Sequence, residues 1–156
     1  MTRIAYLEIS PRQTGKTTRL IGFAQQKLSE GLPVRFVTLG MKNEIQAQLP
    51  GAIVLADGEP LPSGESVEGI WFYDEFDWLK HAELREGAYY ASTARRLRKA
   101  GVKQPVDDLL PSLIEAAGYT YQRCFWPFDM GELLNDARRQ HSPEEFRLMY
   151  LGEFLE

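Results

Sequence analysis

Residues 10–17 read Ser-Pro-Arg-Gln-Thr-Gly-Lys-Thr, directly after the apolar run Ile4-Ala5-Tyr6-Leu7-Glu8-Ile9. The order is strand, tight loop, helix, the arrangement that cradles a nucleotide's phosphates. Ser10 stands where the Gly-x-x-x-x-Gly-Lys-Ser/Thr pattern has its first glycine. Gly15 lets the backbone turn its N–H groups inward, Lys16 can reach the β- and γ-phosphates, and Thr17 can hold a magnesium ion. The helix that follows adds the partial positive charge of its N-terminus. Leu20, Ile21, Ala24 and Leu28 give that helix an apolar face, Gly31 ends it, and Pro33 prevents its resumption. The stretch Ser10, Pro11, Arg12, Gln13, Thr14, Gly15, Lys16, Thr17 and Thr18 is the candidate nucleotide-binding segment.

Residues 70–77 supply the second half of the site: Ile-Trp-Phe-Tyr-Asp-Glu-Phe-Asp. A continuous apolar run suits a strand buried on both faces of a parallel sheet. A carboxylate at its C-terminal end sits where ligands bind in such sheets. Asp74 is the candidate to hold magnesium with Thr17, and Glu75 the candidate to polarise an attacking water. Few further groups are needed, because phosphoryl transfer is mostly positioning and charge neutralisation.

Strands are expected at 4–9, 34–39, 52–56, 69–74, 88–92 and 119–125, and helices at 16–29, 41–49, 106–117, 130–140 and 143–151. The last strand rests on Tyr119, Tyr121, Arg123 and Phe125 alternating with Thr120, Gln122 and Cys124. The apolar stripe Val106, Leu109, Leu110, Leu113, Ile114 and Ala117 carries the third helix, with Pro111 marking an irregular start. Ser142, Pro143 and Glu145 form the start signal of the last helix, and Gly152 its stop. Strands alternating with helices predict one α/β domain over 1–156, a P-loop NTPase sandwich with a mainly parallel sheet flanked by helices.

Hydrophobic residues at 44% and charged residues at 26% are ordinary globular values and leave room for a real core. A single cysteine, Cys124, excludes an intrachain disulfide and a multi-cysteine zinc site. With no signal peptide and no membrane-length apolar run, a reducing cytoplasm is the expected compartment. His81 and His141 lie far apart and receive no metal or catalytic role. A net charge of −4 argues against a surface built wholly for nucleic acid. The charge is uneven, however: Arg95, Arg96, Arg98, Lys99 and Lys103 make one basic run. Such a run is a solvated face, a DNA-facing loop, or the source of an arginine that completes a neighbour's site, with Arg95 and Arg96 the candidates.

Three features together resemble the ATPase half of the tailed-phage terminase large subunit, the motor that pumps double-stranded DNA into a procapsid. The first is the loop Pro11-Arg12-Gln13-Thr14-Gly15-Lys16-Thr17-Thr18, with an arginine and without the leading glycine. The second is Tyr89-Tyr90-Ala91-Ser92-Thr93-Ala94, similar to the family's coupling motif on the strand after the acidic pair. The third is Glu144-Glu145-Phe146-Arg147-Leu148-Met149-Tyr150-Leu151-Gly152-Glu153-Phe154, similar to the segment where the ATPase half passes into the nuclease half. The resemblance implies ATP and Mg2+ as cofactors and catalytic roles for Glu75, Lys16 and Arg12. It also implies a relay of nucleotide state through Ser92 and Thr93. It implies a portal or small terminase subunit, a separate nuclease and a homo-oligomeric ring as partners, no membrane, and the host cytoplasm as location for a phage-encoded chain. Asp107, Asp108 and Asp129 are too sparse for a two-metal nuclease, so no nuclease activity is expected.

Two other readings stay open. Asp74-Glu75-Phe76 also resembles thymidine-kinase-type nucleoside kinases, although one cysteine cannot build their zinc lasso. A nucleotide-gated interaction module would use Tyr119, Tyr121, Phe125, Trp126 and Phe128 as a docking surface.

Overall fold

The computed structural model describes residues 2–99, 102, 105, 107–126 and 129–155. The expectations placed on Lys103, Val106 and Phe128 lie outside the described residues.

Five strands form one sheet: β1 (Tyr6–Ile9), β2 (Val34–Thr38), β3 (Ile53–Ala56), β4 (Ile70–Asp74) and β5 (Tyr89–Ser92). Their spatial order is β1-β5-β4-β2-β3, and every pairing is parallel. Parallel strands need crossover connections, and helices supply two of them. α1 (Lys16–Ser29) joins β1 to β2, and α2 (Lys42–Gln48) joins β2 to β3. α3 (Leu109–Ala116), α4 (Gly131–Gln140) and α5 (Pro143–Phe146) follow the sheet. The expected α/β architecture with a parallel sheet flanked by helices is therefore present.

Each face of the sheet has its own core. On one face Leu20, Ile21 and Ala24 of α1 pack with Val34, Phe36, Val54, Phe72 and Ala91. Phe36, Phe72 and Tyr89 stack across three strands there, with centroids 5.9 and 4.6 Å apart. On the other face Ile9, Val37, Leu55, Tyr73 and Tyr90 meet Leu110 and Leu113 of α3 together with Leu148 and Phe154. Truncating a buried aromatic such as Phe36 or Phe72 costs roughly 3–5 kcal/mol.

Several boundaries are decided by capping. Gly31 takes a left-handed conformation (φ 79°), and Leu32 N–H closes back onto the Lys27 carbonyl at 3.1 Å, ending α1. Asp108 caps α3 by accepting from Leu110 N–H, so the helix starts before Pro111, whose missing N–H falls in the unpaired first turn. Ser142 caps α5 through the N–H of Glu145 at 3.1 Å. The helix expected over 143–151 changes character midway, becoming a π-helical turn over Arg147–Leu151 before Gly152 ends it.

The expected strand at 119–125 is corrected. The segment pairs with β1 through a single bridge, Glu8 with Gln122. Tyr119 sits at φ 63° with its N–H bound to Ile114, so it belongs to the end of α3. Two residues after the bridge, Cys124 N–H donates to the Ser10 hydroxyl instead of a β1 carbonyl, so no ladder continues.

Candidate functional site

The parallel register brings three chain segments to one sheet edge. Ile9 pairs with Ser92, and Ala91 with Asp74. The residues that leave β1, β5 and β4 at their C-terminal ends are therefore neighbours. They border a cleft of about 560 Å³ whose lining includes Arg12, Thr14, Lys16, Glu75 and Thr93.

The loop that enters the cleft turns through two left-handed residues, Gln13 at φ 56° and Gly15 at φ 90°. Gln13 carries a side chain there, a strain usually retained only where surrounding structure imposes it. Inside the turn, Thr14 Oγ1 and Lys16 Nζ both donate to the Pro11 carbonyl, at 3.0 and 2.9 Å. The Lys16 side chain is buried and its Nζ lies 3.8 Å from Glu75 Oε1. Burial pushes the ammonium pKa down, only partly offset by the nearby Glu75, Glu8 and Asp74 carboxylates.

Thr17 Oγ1 donates to Asp74, 2.9 and 3.1 Å from its two carboxylate oxygens. The two residues are far apart in sequence, and the first turn of α1 and the end of β4 bring them together. Burial and the adjacent Glu75 push the Asp74 carboxyl up to about 6, against the Thr17 hydrogen bond and Lys16. Burial likewise raises Glu75, opposed by Lys16. Carboxylates disfavoured in this way gain from a nearby cation. Among the described residues no cluster of three His, Cys, Asp or Glu side chains could hold a metal alone. Thr17 and Asp74 suit magnesium, which takes few protein ligands and completes its shell with phosphate oxygens and water.

Glu75 itself has φ 55°, a positive value that turns the chain sharply off β4 into a single 3₁₀ turn, Phe76–Trp78. Its Oε2 lies 3.5 Å from both the Ser92 hydroxyl and the Thr93 N–H. The expected Ser92–Thr93 pair divides into two environments. Ser92 Oγ donates to the Thr93 carbonyl at 2.9 Å and accepts the Asp77 N–H at 3.3 Å. Thr93 is 3% exposed, lines the cleft, and its Oγ1 is buried with no hydrogen-bond partner among the described residues.

The remaining expected residues are placed as follows. Arg12, Gln13, Gly15 and Thr18 line the cleft and are exposed. Ser10 and Pro11 are buried behind it, and the Ser10 hydroxyl is taken by Glu8 and Cys124. Arg95 is exposed, and Arg96 is half-buried with its guanidinium 3.3 Å from Asp108. The basic run is not one face, because Arg98 is turned inward at 4% exposure. It is held between Asp77 at 2.8 Å and Asp108 at 2.9 Å.

Sequence reasoning missed five residues. Leu39, Trp78 and Met149 complete the cleft's wall. Glu8 and Arg19 form an ion pair beneath the loop. A charged residue inside an otherwise apolar strand was the available signal for Glu8. Nothing local marked Met149, which arrives from the far end of the chain.

Compared with family models, curated proteins and solved structures, the chain matches none. Among the described residues no helix is long and apolar enough to cross a membrane.

Proposed function

We propose that this chain is a magnesium-dependent P-loop ATPase of the kind that powers terminase DNA-packaging motors. The observation that carries the reading is the contact of Thr17 with Asp74 beside Lys16 and Glu75. Those four side chains come from a loop–helix junction and a strand end, and they are the set phosphoryl transfer needs.

In this reading Lys16 leaves the Pro11 carbonyl and Glu75 for the β- and γ-phosphate oxygens. Loop N–H groups at the α1 N-terminus take the remaining phosphate charge. Thr17 and Asp74 would hold a magnesium ion, which would supply neutralising positive charge to the phosphates when bound. Glu75 orients a water for in-line attack. The water oxygen bonds to the γ-phosphorus, the bond to the β-bridging oxygen breaks, ADP leaves, and Glu75 takes up the water proton. Arg12, exposed at the cleft mouth, reaches for the γ-phosphate. Thr93 offers its unpaired hydroxyl to the same phosphate or to the water. Ser92 links Glu75 to the Asp77 turn, so both carry nucleotide state towards the segment that follows β5.

Arg95, exposed just beyond Thr93, is the residue that would meet DNA phosphates or a neighbouring subunit's site, with Arg96 beside it. Double-stranded DNA, a homo-oligomeric ring, a portal or small terminase subunit and a separate nuclease belong to this proposal through the motif likeness. So does the host cytoplasm as location.

The test is ATP turnover with and without double-stranded DNA, in wild type and Lys16→Ala. Magnesium-dependent turnover that DNA stimulates and Lys16→Ala abolishes is the expected result. Equal behaviour of the two proteins removes the assignment. Phosphorylation of a nucleoside with no response to DNA replaces it with a kinase.

A further inference from the structure

Beneath the phosphate loop lies a buried charge that catalysis does not use. Glu8 points out of the middle of β1 and is fully buried. Its carboxylate accepts from Tyr6 Oη at 2.7 Å, Ser10 Oγ at 2.7 Å and Arg19 Nε at 2.8 Å, and Arg19 Nη2 closes the fork. The third donor of the same guanidinium, Nη1, reaches the Thr14 carbonyl at 2.7 Å. Glu8 is buried while Arg19 is only half-buried, and burying a charge for an ion pair stabilises poorly compared with apolar side chains of equal volume. The use of this one lies in what it holds.

We propose that Arg19 and Glu8 are positioning residues that fix the phosphate loop in its anion-cupping shape from behind. The inference rests on the phosphate-binding reading of the loop. Every peptide bond described is trans, so a C=O and the next residue's N–H point to opposite sides. Pinning the Thr14 carbonyl down onto Arg19 therefore turns the Gly15 N–H up, away from the guanidinium and towards the cleft. Glu8 aims the guanidinium with a two-point grip that only a planar fork provides. Gly15 suits the position twice: its φ of 90° is one that side-chain-bearing residues rarely adopt, and a Cβ would press on Arg19 Nη1 at 3.1 Å. Ser10 completes the mount, donating to Glu8 and accepting the Cys124 N–H at 2.8 Å. The serine in the first glycine position thereby ties the loop's entry to the segment beside β1. The loop is organised before any phosphate arrives, and that lowers the ordering cost of binding.

Arg19→Lys separates the brace from mere charge compensation. An ammonium still offsets the buried Glu8 carboxylate, but it cannot span Glu8 and Thr14 together. The expected result has two parts. In the nucleotide-free protein, amide exchange at Thr14–Lys16 speeds up while the core amides of Phe36 and Phe72 stay slow. The KM for ATP rises about tenfold, the worth of one charged hydrogen bond, with kcat little changed. The double variant Glu8→Gln/Arg19→Met removes both charges and the brace, and the same loop-specific exchange is expected of it. Exchange that accelerates equally in loop and core, or wild-type exchange and KM in Arg19→Lys, overturns the proposal. If wild type binds no ATP, the functional reading fails, and the exchange arm alone decides the brace.

Discussion

The Arg12 N–H donates to the Met149 carbonyl at 2.7 Å. The loop after β1 is thus stitched to a segment well over a hundred residues further along the chain. Met149 lies in the π-helical turn and also lines the cleft. The contact is tight at its edge: Gly152 has φ 66°, and a Cβ there would stand 2.9 Å from Pro11 Cδ and 3.0 Å from Pro11 N.

Gly152→Ala should therefore act on the loop through the C-terminal segment. The left-handed conformation alone costs a non-glycine residue roughly 1–2 kcal/mol, and the clash with Pro11 adds to it. Urea unfolding should show the loss, and ATP titration should show weaker binding. Wild-type values in both would mean that the segment yields without disturbing the loop.

Thr93→Val should raise stability and lower activity together. It removes a buried hydroxyl that has no partner among the described residues, a defect costing about 1–3 kcal/mol in a folded protein. The melting temperature is expected to rise. Turnover is expected to fall on the order of a hundredfold, as when one donor to transition-state charge is deleted. Thr93→Ser should keep most turnover. Unchanged turnover in Thr93→Val would assign the hydroxyl no part in the reaction.

Glu75→Gln should separate binding from hydrolysis. The amide keeps the shape but cannot take a proton, and losing a general base typically costs two to four decades in rate. ATP affinity should stay within a few-fold of wild type. Hydrolysis at the wild-type rate would move the base to another residue.

Arg98 and Arg95 should behave oppositely despite lying three residues apart. Arg98→Met strands Asp77 without its cation and leaves Asp108 only the half-buried Arg96, and breaking a buried pair costs about 3–5 kcal/mol. Arg95→Ala should leave the melting temperature alone and reduce DNA-stimulated turnover, with a shallower salt dependence. The comparison is a thermal melt of both variants beside a turnover assay at several salt concentrations. A stable Arg98→Met, or an Arg95→Ala with full DNA response, would reverse these assignments.

Acid should find Glu8. Burial opposes its charge, but Arg19, Tyr6 and Ser10 outweigh burial and hold its pKa below the ordinary 4.5. A depressed carboxylate stabilises the fold above its unfolded pKa, and that contribution is lost as pH falls through the lower folded value. The stability gap between wild type and Glu8→Gln should be full at pH 6 and shrink below about pH 4.5. A gap that does not change with pH would mean the carboxylate is not the stabilising form.

The sequence by itself determined the local pieces. A strand, a loop with Gly-Lys-Thr and an amphipathic helix declare themselves within thirty residues, because period, turn residues and helix stops are local signals. The apolar run ending at Asp74-Glu75 declares a buried parallel strand for the same reason. What only the tertiary structure decided are relations between distant residues. No spacing rule states that β5 lies between β1 and β4, so only the sheet order puts Thr93 in the cleft beside the Gly15-Lys16-Thr17 loop and Ser92 against Glu75. Arg98 and Arg95 look alike in a basic run, and only the two carboxylates waiting inside distinguish them. The strand expected at 119–125 failed because alternation cannot show where backbone donors go, and Cys124 N–H goes to Ser10. Met149 and Glu8 were silent as site residues because a side chain's role depends on what the fold places against it.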